Sequence, residues 1–174
     1  CSSDLTLGLT LTGAEVNSQV NKFLDMPAQN QPFALYINYQ DLHYPYFGRD
    51  QEAVFIDEPQ TDSSFFVPEN RDHILRQYYN ASNHLDRSFK ELFDILARRG
   101  LLDNSVIGIV GDHPDAIYED GILGHAWSIH GSQRYTPVFL INGVNITSKG
   151  MDHDHFSDVL LRSRSEEHTS ELQS

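Results

Sequence analysis

The sequence predicts an α/β fold, a largely parallel sheet with helices on both faces, on three observations. Three short runs rich in β-branched and aromatic residues, 33–38, 106–110 and 137–143, are each bounded by turn formers and read as strands buried on both faces. Amphipathic patterns over residues 12–24 and 70–99 alternate with those runs, and such alternation puts helices on the faces of a mostly parallel sheet. The chain has 174 residues and no internal repeat, a length that supports one domain with a real core.

The elements follow in order. Residues 5–11 alternate Leu with Thr or Gly and suit an edge segment. Thr12 and Glu15 have capping-box spacing, and Val16, Val20, Phe23 and Leu24 then recur with helical period, which predicts a short amphipathic helix ended by Pro27. Residues 33–38 (Phe-Ala-Leu-Tyr-Ile-Asn) are the first buried-type strand. Residues 47–70 are acidic and read as a solvated excursion over the sheet. Asn70 is placed to cap a long helix whose apolar stripe is Ile74, Leu75, Tyr78, Leu85, Phe89, Leu92, Phe93 and Leu96. Gly100 is its expected stop, and Arg98 and Arg99 suit the negative end of its dipole. Asn80, Ser82 and Asn83 are poor interior residues that could bend it, and His84 and Asp86 read as a solvated face. Residues 101–105 turn into the central strand, 137–143 form the third, and 155–161 open a further helix.

Chemistry gathers where strands end. Residues 106–110 stop on Asp112 and His113, and in open α/β sheets the carboxyl ends of strands face the ligand crevice. An acid and an imidazole there are good ligands for a divalent metal. The first strand likewise runs into Asp41 and His43, with Pro45 biasing Tyr44 away from helix.

Charge narrows the class of partner. The formal net charge is −13. Residues 164–174 read as a non-native tail resembling a translated sequencing adapter, and setting aside its one Arg and three Glu turns −13 into −11. Scattered Lys and Arg on an acidic chain leave no electrostatic footprint for nucleic acid. No targeting segment opens the chain, no window is a membrane helix, and a single Cys says nothing of redox compartment.

In order, these pieces resemble the C-terminal half of a sulfatase-like member of the alkaline phosphatase superfamily, the group of arylsulfatases, phosphoethanolamine transferases and lipoteichoic acid synthases. The family's apolar strand with its His-x-Pro-x-Tyr-like loop is matched by His43-Tyr44-Pro45-Tyr46. Its Tyr- and Asn-bearing helix with an Asp is matched by residues 79–86, and its Leu-x-Asn-Ser turn by residues 102–105. Its Ser/Gly-Asp-His-Gly is matched by Gly111-Asp112-His113-Pro114, and a downstream Glu-Asn-Gly and His by Glu119-Asp120-Gly121 and His125. The resemblance spans residues 33–160.

That resemblance implies a truncated alkaline-phosphatase-like domain over residues 1–163, whose chemistry is metal-dependent hydrolysis or transfer of a sulfate or phosphate ester. Asp112 and His113 would bind a divalent ion, one of Ca, Mg, Mn or Zn, and His43 and His125 would contact the substrate, with His130 as understudy to His125. The substrate would be a small-molecule, glycan-linked or lipid-linked ester. The location would be extracytoplasmic, whether periplasmic, cell-surface, lysosomal or secreted, with room for a membrane anchor upstream. The nucleophile is expected upstream too, since the Cys-x-Pro-x-Arg signature is absent, so these residues alone would be inactive. Pro114 stands where the family has Gly, fixing φ and removing an N–H; it favours the alternative of a non-catalytic relative used for binding or structure.

Overall fold

Helix α1, Gly13–Leu24, begins on the expected capping box: the Glu15 N–H donates to Thr12 Oγ1 and the Thr12 N–H to Glu15. Its buried face, Val20 and Leu24, meets Leu92 and Ile95 of helix α2, Arg71–Arg98, with Phe23, Ile37, Leu96 and Leu101 packed around them. Burying each such aliphatic side chain stabilises by about 1.5–3 kcal/mol. These elements come from a computed structural model that describes residues 11–26, 32–48, 50–119 and 121–125, and the backbone of 138–141. The chain divides into two compact units, Cys1–Leu102 and Asp103–Ser174.

In the first unit α2 runs unbroken through Asn80, Ser82 and Asn83, and Gly100 follows at φ 66°. Asn70 flanks the start of α2, although its side chain makes no cap bond there and donates instead to the Phe65 carbonyl. Arg99 braces the neighbouring helix, donating to the Leu24 carbonyl at 3.2 Å and to Asn21 and Asp25 at 2.7 Å each. A cation there meets the negative end of α1. The face that α2 buries is more polar than its apolar stripe, because Gln77, Asn80 and Ser88 are buried with Ile74, Ala81, Leu92 and Ile95. Irregular backbone must find partners when covered, and residues 47–70 find them here. Gln77 donates to the Pro45 and Gln60 carbonyls and accepts from the Gln60 N–H, while Asn80 accepts from the Val54 and Phe55 N–H groups.

Residues 33–38 depart from the buried-strand expectation. They join no ladder among the described residues, and Tyr36 is 92% exposed. One side still packs with period two: Phe33 meets Phe23 edge to face at 5.6 Å, Ile37 joins the α1–α2 cluster, and Tyr39 meets Phe89 at 5.3 Å.

The second unit holds strands β1, Ile107–Val110, β2, Ala116–Ile117, β3, Leu123–Gly124, and β4, Val138–Ile141. β1 pairs with β4 from Ile107↔Ile141 to Val110↔Val138, and β2 with β3; both ladders are antiparallel. The parallel arrangement expected for residues 106–110 and 137–143 is therefore corrected for this pair. Parallel neighbours need a crossover, usually a helix, and the described part of the β1–β4 connection holds the β2–β3 hairpin. Burial on both faces is corrected as well, since β1 alternates half-buried with exposed positions and Val110 is exposed. Residues 5–10, the understudy His130, the helix expected at 155–161 and the tail 164–174 lie outside the described residues.

Candidate metal and substrate site

The β2–β3 hairpin is what assembles the polar cluster of the second unit. The Tyr118 N–H donates to the Ile122 carbonyl at 2.9 Å, and Gly121 takes φ 74°, a left-handed conformation that glycine adopts without a Cβ penalty. Glu119 accepts from the Ile117 N–H at 2.5 Å. With Ala116 and Ile117 buried beneath, the returning strand delivers His125 beside the loop that follows β1. The rings of His113 and His125 lie 3.7 Å apart, centroid to centroid, tilted by 37°.

Asp115 joins them. Its Oδ1 is 2.7 Å from His125 Nδ1 and 3.7 Å from His113 Nδ1, and its side chain is 10% exposed. A carboxylate at 2.7 Å from Nδ1 selects the tautomer that donates from that nitrogen, which makes Nε2 the atom available to a ligand. One ligand atom from each of His113, Asp115 and His125 lies within 4.8 Å of the others. Asp112 plays a different local part: its carboxylate accepts the His113 N–H at 3.0 Å and stands 3.6 Å from His113 Nε2, with its side chain 90% exposed. Of the four residues singled out in the sequence, the structure brings His113 and His125 together, leaves Asp112, the chain neighbour of His113, facing solvent, and holds His43 in the first unit.

His43 sits on an exposed turn between Asp41 and Tyr46, its Nδ1 2.7 Å from the Tyr44 carbonyl. The turn is held from several sides. The His43 N–H donates to Gln40 and the Tyr46 N–H to the His43 carbonyl; the Tyr44–Pro45 bond is cis; and Tyr46, fully buried at φ 62°, meets the Tyr78 ring edge to face at 5.4 Å. A non-glycine residue in that region stores strain of about 1–3 kcal/mol, which persists only where packing fixes it.

His84 corrects the expectation of a solvated helix face, while Asp86 meets it. The His84 side chain is 13% exposed, and its Nδ1 lies 2.7 Å from Oδ1 of Asp41, itself 5% exposed; Nε2 faces Asp50 at 3.5 Å. Beside this pair, Asn17 is fully buried and satisfied, donating to the Ser88 carbonyl and Glu91 and accepting the Tyr39 hydroxyl at 2.6 Å. Burial, with Asp41 and Glu91 adding, pushes the Tyr39 phenol well above its ordinary value.

Sequence reasoning missed Asp115 and His84. For Asp115 a signal existed: two short apolar pairs, 116–117 and 122–123, flank a stretch ending in Asp-Gly, the mark of a hairpin that returns His125 to the loop it left. For His84 none did, because its partner is 43 positions away.

The family model described as Sulfatase matches residues 14–163, and with the cluster after β1 inside that span the assignment is direct. The chain belongs to the sulfatase family. Among curated relatives of this sulfatase chain, lipoteichoic acid synthase 1 of Bacillus subtilis (strain 168) is 32% identical over 83 residues, 48% of the chain and 11% of that protein. The lipoteichoic acid synthase of Staphylococcus saprophyticus subsp. saprophyticus is 33% identical over 85 residues, covering 49% and 12%. Lipoteichoic acid synthase 2 of Bacillus subtilis (strain 168) is 30% identical over 83 residues, covering 48% and 11%. The chain thus spans about a tenth of the length of these relatives. No solved structure matches the chain. An alkaline-phosphatase-like α/β fold follows from the family, and no helix among the described residues is long and apolar enough to cross a membrane.

Proposed function

We propose that this sulfatase-family chain carries part of the metal and substrate site of an enzyme that hydrolyses or transfers a sulfate or phosphate ester, extracytoplasmic and without its own nucleophile. The observation that carries the reading is the meeting of His113, Asp115 and His125 within a sulfatase match. The donor set fits a divalent ion: two imidazoles and a carboxylate suit Zn better than Ca, Mg or Mn, which favour oxygen ligands. His113 with Asp112 or Asp115 would hold it. The chemistry such an ion supplies when bound is neutralisation of charge on a phosphoryl or sulfuryl oxygen and acidification of the attacking hydroxyl.

The chain's own residues do the rest. Asp115 holds the His125 ring through Nδ1, so that Nε2 is presented to the ester or the ion. His125, or His43 held by its own Nδ1 contact, would meet the oxygen on which negative charge develops. The similarity to lipoteichoic acid synthases favours a lipid-linked phosphate ester among the substrate classes.

Calorimetric titration of the 174-residue chain with MnCl2 or ZnCl2 tests the ion site. His113→Ala and Asp115→Ala should each weaken binding by about 10–100-fold, while unchanged affinity in both would remove the site. Hydrolysis of p-nitrophenyl phosphate and p-nitrophenyl sulfate by the full reading frame then tests the reaction. Residues 1–163 alone should show none. A full-length protein that binds the ion and turns over neither ester would favour the binding-module reading that Pro114 raises.

A further inference from the structure

We propose that His84 is a positioning residue: the His84–Asp41 pair fixes the turn that carries His43, and so sets where its imidazole points. The inference rests on the reading of His43 as a substrate contact. Asp41 and His43 belong to one turn, and Asp41 at its start is buried, as Tyr46 is at its end.

Two neighbours stand against its carboxylate, and a third bond anchors the same segment. His84 reaches Oδ1 from α2 at 2.7 Å. The same oxygen stands 3.7 Å from where a Cβ on Gly13 would be, beside the first residue of α1, whose positive end favours an anion. Tyr39, two residues away, is tied to Asn17 of α1. A buried carboxylate is costly unless partnered, and with this partner in place Asp41 becomes a fixed post for the turn. The second post is Gln77, one α2 residue donating to the Pro45 carbonyl at 2.6 Å. Between the posts lie His43 and Tyr44, both exposed, so the turn is clamped at its ends while its middle faces solvent. Asp50 and the Glu52–Arg87 ion pair line the cleft of about 430 Å³ beside His84, and Asp50 Oδ1 stands 3.5 Å from His84 Nε2.

The pair is tested by His84→Leu, which removes the donor, and His84→Asn, whose Nδ2 can take the place of Nδ1. Amide exchange in the full chain reads the turn directly. In His84→Leu the His43 and Tyr46 amides should exchange about tenfold faster while those of Leu92 and Ile95 keep their protection, and His84→Asn should restore the wild-type rates. In the full reading frame, kcat/KM for p-nitrophenyl phosphate should fall about tenfold in His84→Leu and show no further fall when His84→Leu is added to His43→Ala. Unaltered exchange in the turn, or an equal loss in the His43→Ala background, overturns the proposal. If His43→Ala leaves turnover intact, the substrate role of His43 fails, whereas the exchange rates still decide the pair. Should His84→Leu lose protection throughout α2, Asp41→Ala, which removes the acceptor, set against His84→Asn carries the same comparison, and loss of the turn alone is the supporting result.

Discussion

Asp115 accepts from His125 at 2.7 Å although ten residues separate them, and the same carboxylate lies 3.7 Å from His113. The hairpin makes the carboxylate a hinge between two stacked imidazoles, so its loss should be felt in the ring chemistry of both. In Asp115→Ala the Nδ1-protonated tautomer of His125 should give way to the Nε2-protonated form that free imidazole favours. Nitrogen chemical shifts of the two rings measure this, and identical His125 shifts in wild type and variant would separate the pair.

Gly13 is required by space. A Cβ there would lie 2.0 Å from Ser88 Oγ and 2.8 Å from its Cβ, and both atoms belong to a buried side chain on α2. Gly13→Ala should destabilise the chain by about 1–3 kcal/mol despite its better helix propensity, read as a lower urea midpoint. Adding Ser88→Gly should recover part of the loss, because it removes the opposing side chain.

Gln77 holds irregular backbone, and its removal should open that backbone. Gln77→Leu keeps the volume but strands two carbonyls and one N–H of the 45–60 segment, at a cost of about 1–3 kcal/mol for each group left buried without a partner. Limited proteolysis should shift into residues 45–60 in the variant. An unchanged cleavage pattern would mean that other contacts hold the segment.

Tyr39 should contribute to the loss of stability on the alkaline side. Burial, with Asp41 and Glu91 adding, raises the folded phenol above its ordinary value, so the folded state keeps a proton that the unfolded chain releases. The contribution is intact below about pH 10, the unfolded value, and is lost as pH rises from there toward the folded value. Thermal midpoints measured from pH 8 to 11 should fall more steeply in wild type than in Tyr39→Phe. Parallel curves would show that the phenol does not ionise differently in the two states.

Local rules were legible because their causes are local. The Thr12–Glu15 box spans four residues, the stop at Gly100 is one residue's backbone freedom, and the period of α2 repeats every turn. All can be read in a short window. The Asp112–His113 pair was legible as a candidate for a similar reason: an apolar run that stops on an acid and an imidazole is a short pattern, and the ordered motifs around it carried the family.

The sequence by itself determined both helices, their starts and stops, and the family. Only the tertiary structure decided which carboxylate meets which imidazole. Asp115 rather than Asp112 faces His125 because a hairpin, and not proximity in the chain, chooses the partner. His84 and Asp41 stand 43 positions apart and meet because the segment leading to Asp41 packs on α1 and α2, which no periodicity encodes. Strand direction has the same origin. The apolar run of β1 specified an extended strand, while its antiparallel ladder with β4 and its exposed face depend on hydrogen-bond partners and covering layers from elsewhere in the chain.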